Sequence, residues 1–199
     1  RRVLFRSLRA WVCDACQLVQ LDTIADAGAI FVDYAYLSSV SESWVRHAAD
    51  FCRQAQAQMK PDFVVEIASN DGYLLQHFRA AGVRCLGVEP AANVAEIARA
   101  RGIDTIVRFF GVEAARDIAR DHGQAALIVA NNVLAHVPDV NDFVAGIAVL
   151  LAPGGHVSIE CPTVLELARQ AQFDTIYHEH FSYFSFFTLE KVFEQHGYQ

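Results

Sequence analysis

From residue 62 onwards the sequence alternates five times between a short apolar segment and a helical one, and few folds accommodate that order. The apolar segments predict buried strands at FVVEIA, RCLGVEP, DTIVRFF, AALIVANNV and HVSIECP (residues 63–68, 84–90, 104–110, 125–133 and 156–162). Three of the intervening segments, residues 71–82, 91–102 and 111–123, are predicted helices that end at a glycine, which is a helix stop signal. The pattern predicts a Rossmann-like α/β fold with a doubly wound, mostly parallel sheet.

Composition limits the class of protein. The chain has 199 residues, of which 53% are hydrophobic and 20% charged, and its formal net charge is −7. The acidic balance and the lack of a basic run argue against a nucleic-acid partner. No apolar stretch approaches the roughly 20 residues that a membrane helix needs, so no membrane partner is expected. Without a recognisable signal peptide, the expected location is the cytoplasm.

Both ends of the sequence look unlike those of a complete gene product. The chain lacks an initiator methionine, and its first residues, RRVLFRS, match one reading frame of a common sequencing adapter. We expect residues 1–7 to be non-native and exclude them from fold reasoning. The last residues, HGYQ, follow a helical pattern after which a further element is expected, so the sequence predicts a gene truncated at both ends.

The loop after the first predicted strand reads EIASNDG and indicates the kind of ligand. Doubly wound sheets bind ligands outside the carboxyl ends of their strands, where small residues admit a ligand and the next helix offers free N–H groups. The loop has neither GxGxxG nor a P-loop lysine, so it predicts a ligand without phosphates. Glu66 or Asp71 could face a cationic part of that ligand.

Polar residues recur at the ends of later strands. Glu89 lies about 20 residues beyond the loop, where a carboxylate accepts hydrogen bonds from ribose, and ANNVLAHVPD brings His136 to the same edge. Each residue alone also fits a solvated turn, but the recurrence favours a ligand. We predict S-adenosylmethionine (SAM) as the cofactor, bound by Glu66, Ala68, Ser69, Asn70, Asp71, Gly72, Glu89, Pro90, Asn131 and Asn132.

The segment FDTIYHEHFSYFSFFT, residues 173–188, places proton-handling groups among phenylalanines. Tyr177, Glu179 and His180 could supply an O–H donor, an orienting carboxylate and a general base in a dry pocket. HEH lacks the spacing of the HExxH zinc motif. On a strand, His178 and His180 would share a face and could bind a metal as a pair, but a third ligand is not evident. Hydrogen-bonded polar groups under an aromatic cluster are the structural alternative.

Two features stand out before the alternating region. WVCDACQLVQL contains a CxxC pair, Cys13 and Cys16, which is half of a four-cysteine zinc site. Taken alone, two ordinary cysteines in a turn are the simpler interpretation. Further on, Ser39 and Glu42 fit a capping box at the start of a helix.

Four segments together resemble the sugar C-methyltransferases of deoxysugar biosynthesis: VVEIASNDGYLL, GVEPAANVAEIARARGIDTIVRFFG, ANNVLAHVPDVNDFV and FDTIYHEHFSYFS. These are class I SAM-dependent enzymes that act on nucleotide-linked 4-keto sugars. The resemblance implies a zinc domain with four cysteine ligands before the methyltransferase core and a further α/β domain after it. Residues 8–33 would then be the remnant of the zinc domain, and residues 34–199 the methyltransferase domain. Cys13 and Cys16 would be zinc ligands of a site that stays incomplete in this sequence, because the first CxxC pair is missing.

The resemblance also implies roles for single residues. His180 matches a base that removes the proton beside the ketone, giving an enolate that attacks the methyl group. The implied catalytic residues are His180, Tyr177, Glu179 and His136, and the implied substrate-binding residues are Tyr34, Tyr36 and His178. Ala68 stands where the family usually has glycine, and its methyl group is expected to crowd the cofactor loop slightly.

Two other functions stay open on the sequence. One is an O- or N-methyltransferase that uses the same histidine as base on another small molecule. The other is a non-catalytic, zinc-containing binding module with a Rossmann-like core. The sequence does not predict the sugar, the methylated carbon or the oligomeric state.

Overall fold

The computed structural model describes residues 8–22, 27–31 and 34–198, so the residues predicted to be non-native, 1–7, lie outside it. The strands are β1 (Ala10–Val12), β2 (Val19–Leu21), β3 (Phe63–Ile67), β4 (Arg84–Val88), β5 (Thr105–Ile106), β6 (Ala125–Asn131), β7 (Leu151–Glu160) and β8 (Ser182–Tyr183). The α-helices are α1 (Ala27–Ile30), α2 (Glu42–Gln58), α3 (Leu75–Ala80), α4 (Ala92–Ala100), α5 (Val112–His122), α6 (Val140–Leu150), α7 (Val164–Arg169) and α8 (Phe186–Gln195). Short 3-10 helices occupy Ser38–Val40, Leu134–His136 and Phe173–Thr175. No described helix is long and apolar enough to cross a membrane.

The larger sheet confirms the predicted α/β architecture. Its five strands run parallel in the order β5-β4-β3-β6-β7. Helices α2 and α3 contribute to the core on one face, and α5 and α6 to the core on the other. The chain moves outward from β3 to β5 and then returns to β6 on the other side of β3. The direction of winding therefore reverses between β3 and β6, where such a sheet leaves a crevice at its carboxyl edge.

A smaller antiparallel sheet joins two distant parts of the chain. Strands β1 and β2 form a hairpin that contains the CxxC turn, and β2 pairs with β8. The register places Gln20 opposite Ser182, and the main-chain N–H of Leu21 donates to the carbonyl of Phe181 at 3.0 Å. This sheet therefore attaches the hairpin to the segment that follows the YHEH motif.

Three local predictions differ from the structure. Helix α3 begins at Leu75 rather than at residue 71, because residues 68–72 include left-handed conformations. Strand β7 begins at Leu151 rather than at residue 156, because a register shift against β6 accommodates the extra residues. The helix cap is Ser41, whose hydroxyl accepts from the N–H of Trp44, so the prediction that Ser39 caps α2 is wrong.

Candidate functional site

A cavity of about 560 Å³ lies at the carboxyl ends of β3, β4 and β6, next to the winding reversal. Its walls are mostly aromatic and aliphatic with a few convergent polar groups, as is common for small-molecule sites. The predicted site residues on its wall are Tyr34, Tyr36, Ala68, Asn70, Glu89, Pro90, Asn131, Asn132 and His136. The structure thus gathers residues from both the predicted cofactor set and the predicted substrate set around one space.

The other predicted cofactor residues, Glu66, Ser69, Asp71 and Gly72, are buried behind this wall. Glu66 is 1% exposed, and the Tyr73 hydroxyl lies close enough to its carboxyl to act on it as a hydrogen-bond donor. Burial raises the pKa of Glu66 well above its usual value. The carboxylate of Asp71 pairs with the guanidinium of Arg101 at 3.0 Å. Neither carboxyl therefore lies on the wall, where it would directly face a cationic ligand group.

The cofactor loop has an unusual main-chain conformation. Ala68, Asn70 and Asn132 have φ angles of 55°, 49° and 52° at the edge of the cavity, and this left-handed region costs an L-residue about 1–2 kcal/mol. The structure thus gives Ala68 an unfavourable main-chain conformation, while crowding by its methyl group stays a prediction. Gly72 also has a positive φ, and a Cβ there would lie 2.9 Å from a side-chain carbon of Ile103.

The carboxylate of Glu89 is held at the cavity end of β4. The N–H of Asn70 donates to Glu89 Oε2 at 3.0 Å, and the N–H of Ala91 donates to Oε1 at 2.9 Å. Burial raises the pKa of Glu89, and these two hydrogen bonds act in the opposite direction. Each carboxylate oxygen can accept further hydrogen bonds. The Glu89 carboxylate is therefore oriented and can still accept hydrogen bonds from hydroxyl groups of a ligand.

The two asparagines at the end of β6 are fixed by neighbouring groups. The amide of Asn131 donates to the hydroxyl of Tyr73 at 3.4 Å, and the Tyr73 ring stacks on Trp44 with a centroid distance of 6.1 Å. The main-chain N–H of Asn132 donates to the carbonyl of Glu160 at 2.6 Å. The far wall of the cavity is therefore both polar and aromatic.

The imidazole of His180 is oriented by the main chain. Its Nδ1 lies 2.9 Å from the carbonyl oxygen of Thr175, which can only accept, so Nδ1 carries the proton and Nε2 keeps its lone pair. The hydroxyl of Tyr177 lies 3.1 Å from Nε2 and donates to it. Burial lowers the pKa of His180. The ring is thus neutral at pH 7, with its basic nitrogen defined.

His136 connects this histidine to the cavity. It lines the cavity wall, and its ring centroid lies 4.7 Å from that of His180. Its Nδ1 lies 2.9 Å from the carbonyl of Glu179 and therefore also carries a proton. Burial and the neighbouring His180 lower the pKa of His136 to about 4. A neutral imidazole on the wall is compatible with a cationic ligand.

The remaining residues of the YHEH motif are placed differently. Glu179 contributes its main-chain carbonyl to His136, and the predicted orienting role towards His180 is taken by the carbonyl of Thr175. His178 is exposed. Burial and the negative charge of Glu179 raise the pKa of Tyr34 to about 12, so the Tyr34 hydroxyl lies near this motif and stays protonated.

The hairpin cysteines form a turn suited to a metal-binding thiolate but not a complete site. Main-chain N–H groups of Cys16 and Ala15 lower the pKa of the Cys13 thiol. Across residues 8–22, 27–31 and 34–198, no group of three or more His, Cys, Asp and Glu side chains is placed to hold a metal ion. Two thiols do not complete the tetrahedral zinc site, so these residues alone do not fit the predicted zinc.

Several wall residues were not predicted. Phe31 packs edge-on against His136, with ring centroids 5.7 Å apart, and Trp44 and Phe109 also line the cavity. Single aromatic residues carry little signal in a sequence because most of them belong to cores. Asn93, whose side-chain amide bonds to the main chain of Tyr34, was not predicted either.

A family profile described as a methyltransferase domain matches residues 36–199. The chain belongs to this methyltransferase family. The C-methyltransferase NovU of Streptomyces niveus is 41% identical to it over 189 residues, which are 94% of this chain and 45% of that protein. A ubiquinone biosynthesis O-methyltransferase of Bordetella avium is 29% identical over 47% of this chain and 40% of that protein. The methyltransferase therefore spans less than half the length of these relatives.

Solved structures support the fold. A SAM-dependent methyltransferase from Archaeoglobus fulgidus superposes with a TM-score of 0.65 at 14% identity, covering 78% of this chain and 69% of that one. At such low identity the likeness concerns the fold alone. Together with the family match, it confirms the predicted Rossmann-like methyltransferase fold.

Proposed function

We propose that this methyltransferase adds a methyl group to the carbon beside the ketone of a nucleotide-linked keto-deoxysugar, with His180 as general base. The arrangement of His180 carries the proposal: its Nδ1–H is held by Thr175, and its basic Nε2 lies beside Tyr177. The neighbouring His136 belongs to the cavity wall. The identity with a C-methyltransferase over most of the chain supports carbon as the methylated atom.

The described residues fit SAM. The cavity volume falls in the usual range for ligand sites, the carboxylate of Glu89 is oriented to accept ribose hydroxyls, and Phe109 offers an aromatic wall. We assign the ribose to Glu89 and the amino-acid part to the loop at Ala68 and the end of β6 at Asn131. When bound, SAM supplies an electrophilic methyl group on a sulfonium.

The proposed chemistry uses His180, which contacts the wall residue His136, and Tyr177, which contacts His180. His180 Nε2 takes the proton from the carbon beside the ketone, and the C–H electron pair passes into an enolate. The Tyr177 hydroxyl turns from Nε2 to the ketone oxygen and stabilises the negative charge that develops there. The enolate carbon then bonds to the methyl group as the carbon–sulfur bond breaks, and the sulfur takes that electron pair.

His180→Ala tests the base. With SAM and a nucleotide-linked 4-keto-deoxysugar, we expect methylation to fall about 10²–10⁴-fold, the usual contribution of a positioned base. Without SAM, exchange of the acceptor C–H with deuterated solvent should fall equally. The dissociation constant for S-adenosylhomocysteine, measured by calorimetry, should stay within about threefold.

The matched control is His122→Ala, an exposed histidine at the end of α5, which should leave all three measurements unchanged. Methylation by His180→Ala at close to the parental rate would refute the base assignment. If the parental protein methylates without exchanging the C–H bond, carbon methylation itself is wrong.

An O-methyltransferase is the second candidate, because the O-methyltransferase of Bordetella avium matches about half of the chain. In that case His180 would deprotonate a hydroxyl group. Methylation without C–H exchange, with the new methyl group on oxygen by NMR, would favour this candidate.

A further inference from the structure

Residues 34–38, here called the cover segment, lie along the cavity and lead into the 3-10 helix that begins at Ser38. Leu37 has φ −113° and ψ 119°, and Tyr34, Tyr36 and Ser38 all line the cavity. Alternate side chains of an extended segment point to one side, which explains why these three reach the cavity together. The main chain of this segment bonds to side chains from two other elements.

Asn93, in the first turn of α4, holds the first residue of the cover segment. Its Nδ2 donates to the carbonyl of Tyr34 at 2.9 Å, and its Oδ1 accepts from the N–H of Tyr34 at 3.2 Å. One amide thus satisfies both main-chain groups of one residue, as an antiparallel strand partner would. The N-cap of α4 is Ala91, without a side-chain cap, so the Asn93 amide serves Tyr34 and not its own helix.

Asn70 holds the rest of the cover segment. Its Oδ1 accepts from the N–H of Ser38 at 2.8 Å, and its Nδ2 donates to the carbonyl of Tyr36 at 3.1 Å. Its own main-chain N–H donates to Glu89. The predicted ribose carboxylate and the cover segment therefore belong to one hydrogen-bond network.

A third contact follows directly in the sequence. The hydroxyl of Ser39 donates to the carboxylate of Asp71 and accepts from Arg101 at 3.0 Å, while Arg101 also donates to the main-chain carbonyl of Asp71 at 3.0 Å. The anchors lie in the loop after β3, in the first turn of α4 and at the C-cap of α4. The cover segment thus has little freedom while the anchors are intact.

We propose that Asn93 is a positioning residue, which holds the main chain of Tyr34 so that the Tyr34 hydroxyl points between the cofactor and the acceptor. The inference rests on the proposed function for its effect on turnover. Tyr34 packs against Phe31 at a centroid distance of 5.5 Å, and the negative charges of Glu179 and Glu89 both act on its hydroxyl. It therefore stands at the junction of the predicted cofactor and acceptor sites.

Asn93→Ala tests the proposal in the full chain, with Glu96→Ala as the control, because Glu96 is an exposed residue of the same helix. Loss of the two bonds should raise hydrogen exchange of the Tyr34 amide about tenfold, which corresponds to about 1.4 kcal/mol. The kcat for the 4-keto-deoxysugar should fall about tenfold or more through misplacement. The KM for SAM and the Kd for S-adenosylhomocysteine should change less than about threefold. Asn93→Asp, which keeps only the acceptor, should fall between the parent and Asn93→Ala.

Two results would overturn the proposal: unchanged exchange at Tyr34 in Asn93→Ala, or faster exchange with unchanged kcat. Equal effects in Glu96→Ala would assign them to helix stability instead. Failure of the proposed function would look different, because the parental protein would give no C-methylated product. The inference would then be judged by exchange alone, and S-adenosylhomocysteine should slow exchange at Tyr34 in the parent but not in Asn93→Ala.

Discussion

His136 and His180 are both oriented by a hydrogen bond to a main-chain carbonyl, but their surroundings differ. Each donates its Nδ1–H to a carbonyl, that of Thr175 for His180 and that of Glu179 for His136. His136 faces the cavity and is the more deeply buried, and its pKa of about 4 makes it a weak base. His180 keeps a basic nitrogen beside the Tyr177 hydroxyl, which in the proposed reaction moves to the ketone oxygen.

The rate should therefore depend on pH in a defined direction. A base works only when it is unprotonated, and burial lowers the pKa of His180 from its ordinary value of 6.5. We expect kcat/KM to stay constant from pH 8 to about 6.5 and to fall at lower pH, as the lowered pKa is passed. A pH–rate profile with His122→Gln as control checks this, and a midpoint above 6.5 would contradict it.

For single residues, the sequence predicts which side chains form the site better than it predicts which groups hold them in place. The motif YHEH contains the tyrosine and histidine that the structure brings together at 3.1 Å, because neighbours in sequence stay neighbours in space. The carbonyl of Thr175 and the amide of Asn93 could not be predicted. A carbonyl is common to every residue, and Asn93 meets Tyr34 across 59 positions of sequence.

Among the helices and strands, β4 leaves space for the cofactor loop because it has a glycine, Gly87, where the loop packs against it. Gly87 pairs with Glu66 in the sheet, and a Cβ at Gly87 would overlap the hydroxyl of Ser69 and lie 3.0 Å from its Cβ. A glycine in a strand normally weakens it, and it often marks close approach of another main chain. Here the group that approaches is the Ser69 side chain of the cofactor loop. The strand itself was predictable from its apolar run, but this contact was not.

Gly87→Ala should destabilise the fold by about 1–3 kcal/mol, as overpacking usually does, and weaken binding of S-adenosylhomocysteine. Ser69→Ala should be nearly neutral, because its hydroxyl lacks a hydrogen-bond partner in the described structure. The double variant should recover part of the lost stability. Denaturant unfolding of the four proteins measures the cycle, and purely additive effects would rule out the contact.

For the whole molecule, the small sheet connects the hairpin to the histidines. Leu21 donates to the carbonyl of Phe181 at 3.0 Å, and Phe181 donates to the carbonyl of Ala135 at 2.7 Å, next to His136. The five strands of the large sheet were predicted from their apolar segments, although β7 begins at Leu151 rather than at residue 156 and the order of the strands was not predicted. The pairing of β2 with β8 was not predicted either, because strands of two or three residues carry no periodicity to detect.

Leu21→Pro should disturb the histidines while leaving the cofactor cavity intact. It removes the N–H that reaches Phe181, so we expect the histidines to shift and turnover to fall about tenfold or more. Leu21→Ala keeps that N–H and serves as the control for lost packing. S-adenosylhomocysteine affinity should be similar in both variants, and equal turnover in both would show that the bond does not matter.

The pairing of β2 with β8 also limits the order in which the chain folds during its synthesis. Gln20 and Ser182 are 162 positions apart. Forming a contact between them costs the conformational entropy of closing a loop of nearly the whole chain. The sheet that surrounds the cofactor cavity can assemble while its last strands leave the ribosome. The histidine pair must wait for the segment after residue 180, so a nascent chain could hold its cofactor before it can catalyse.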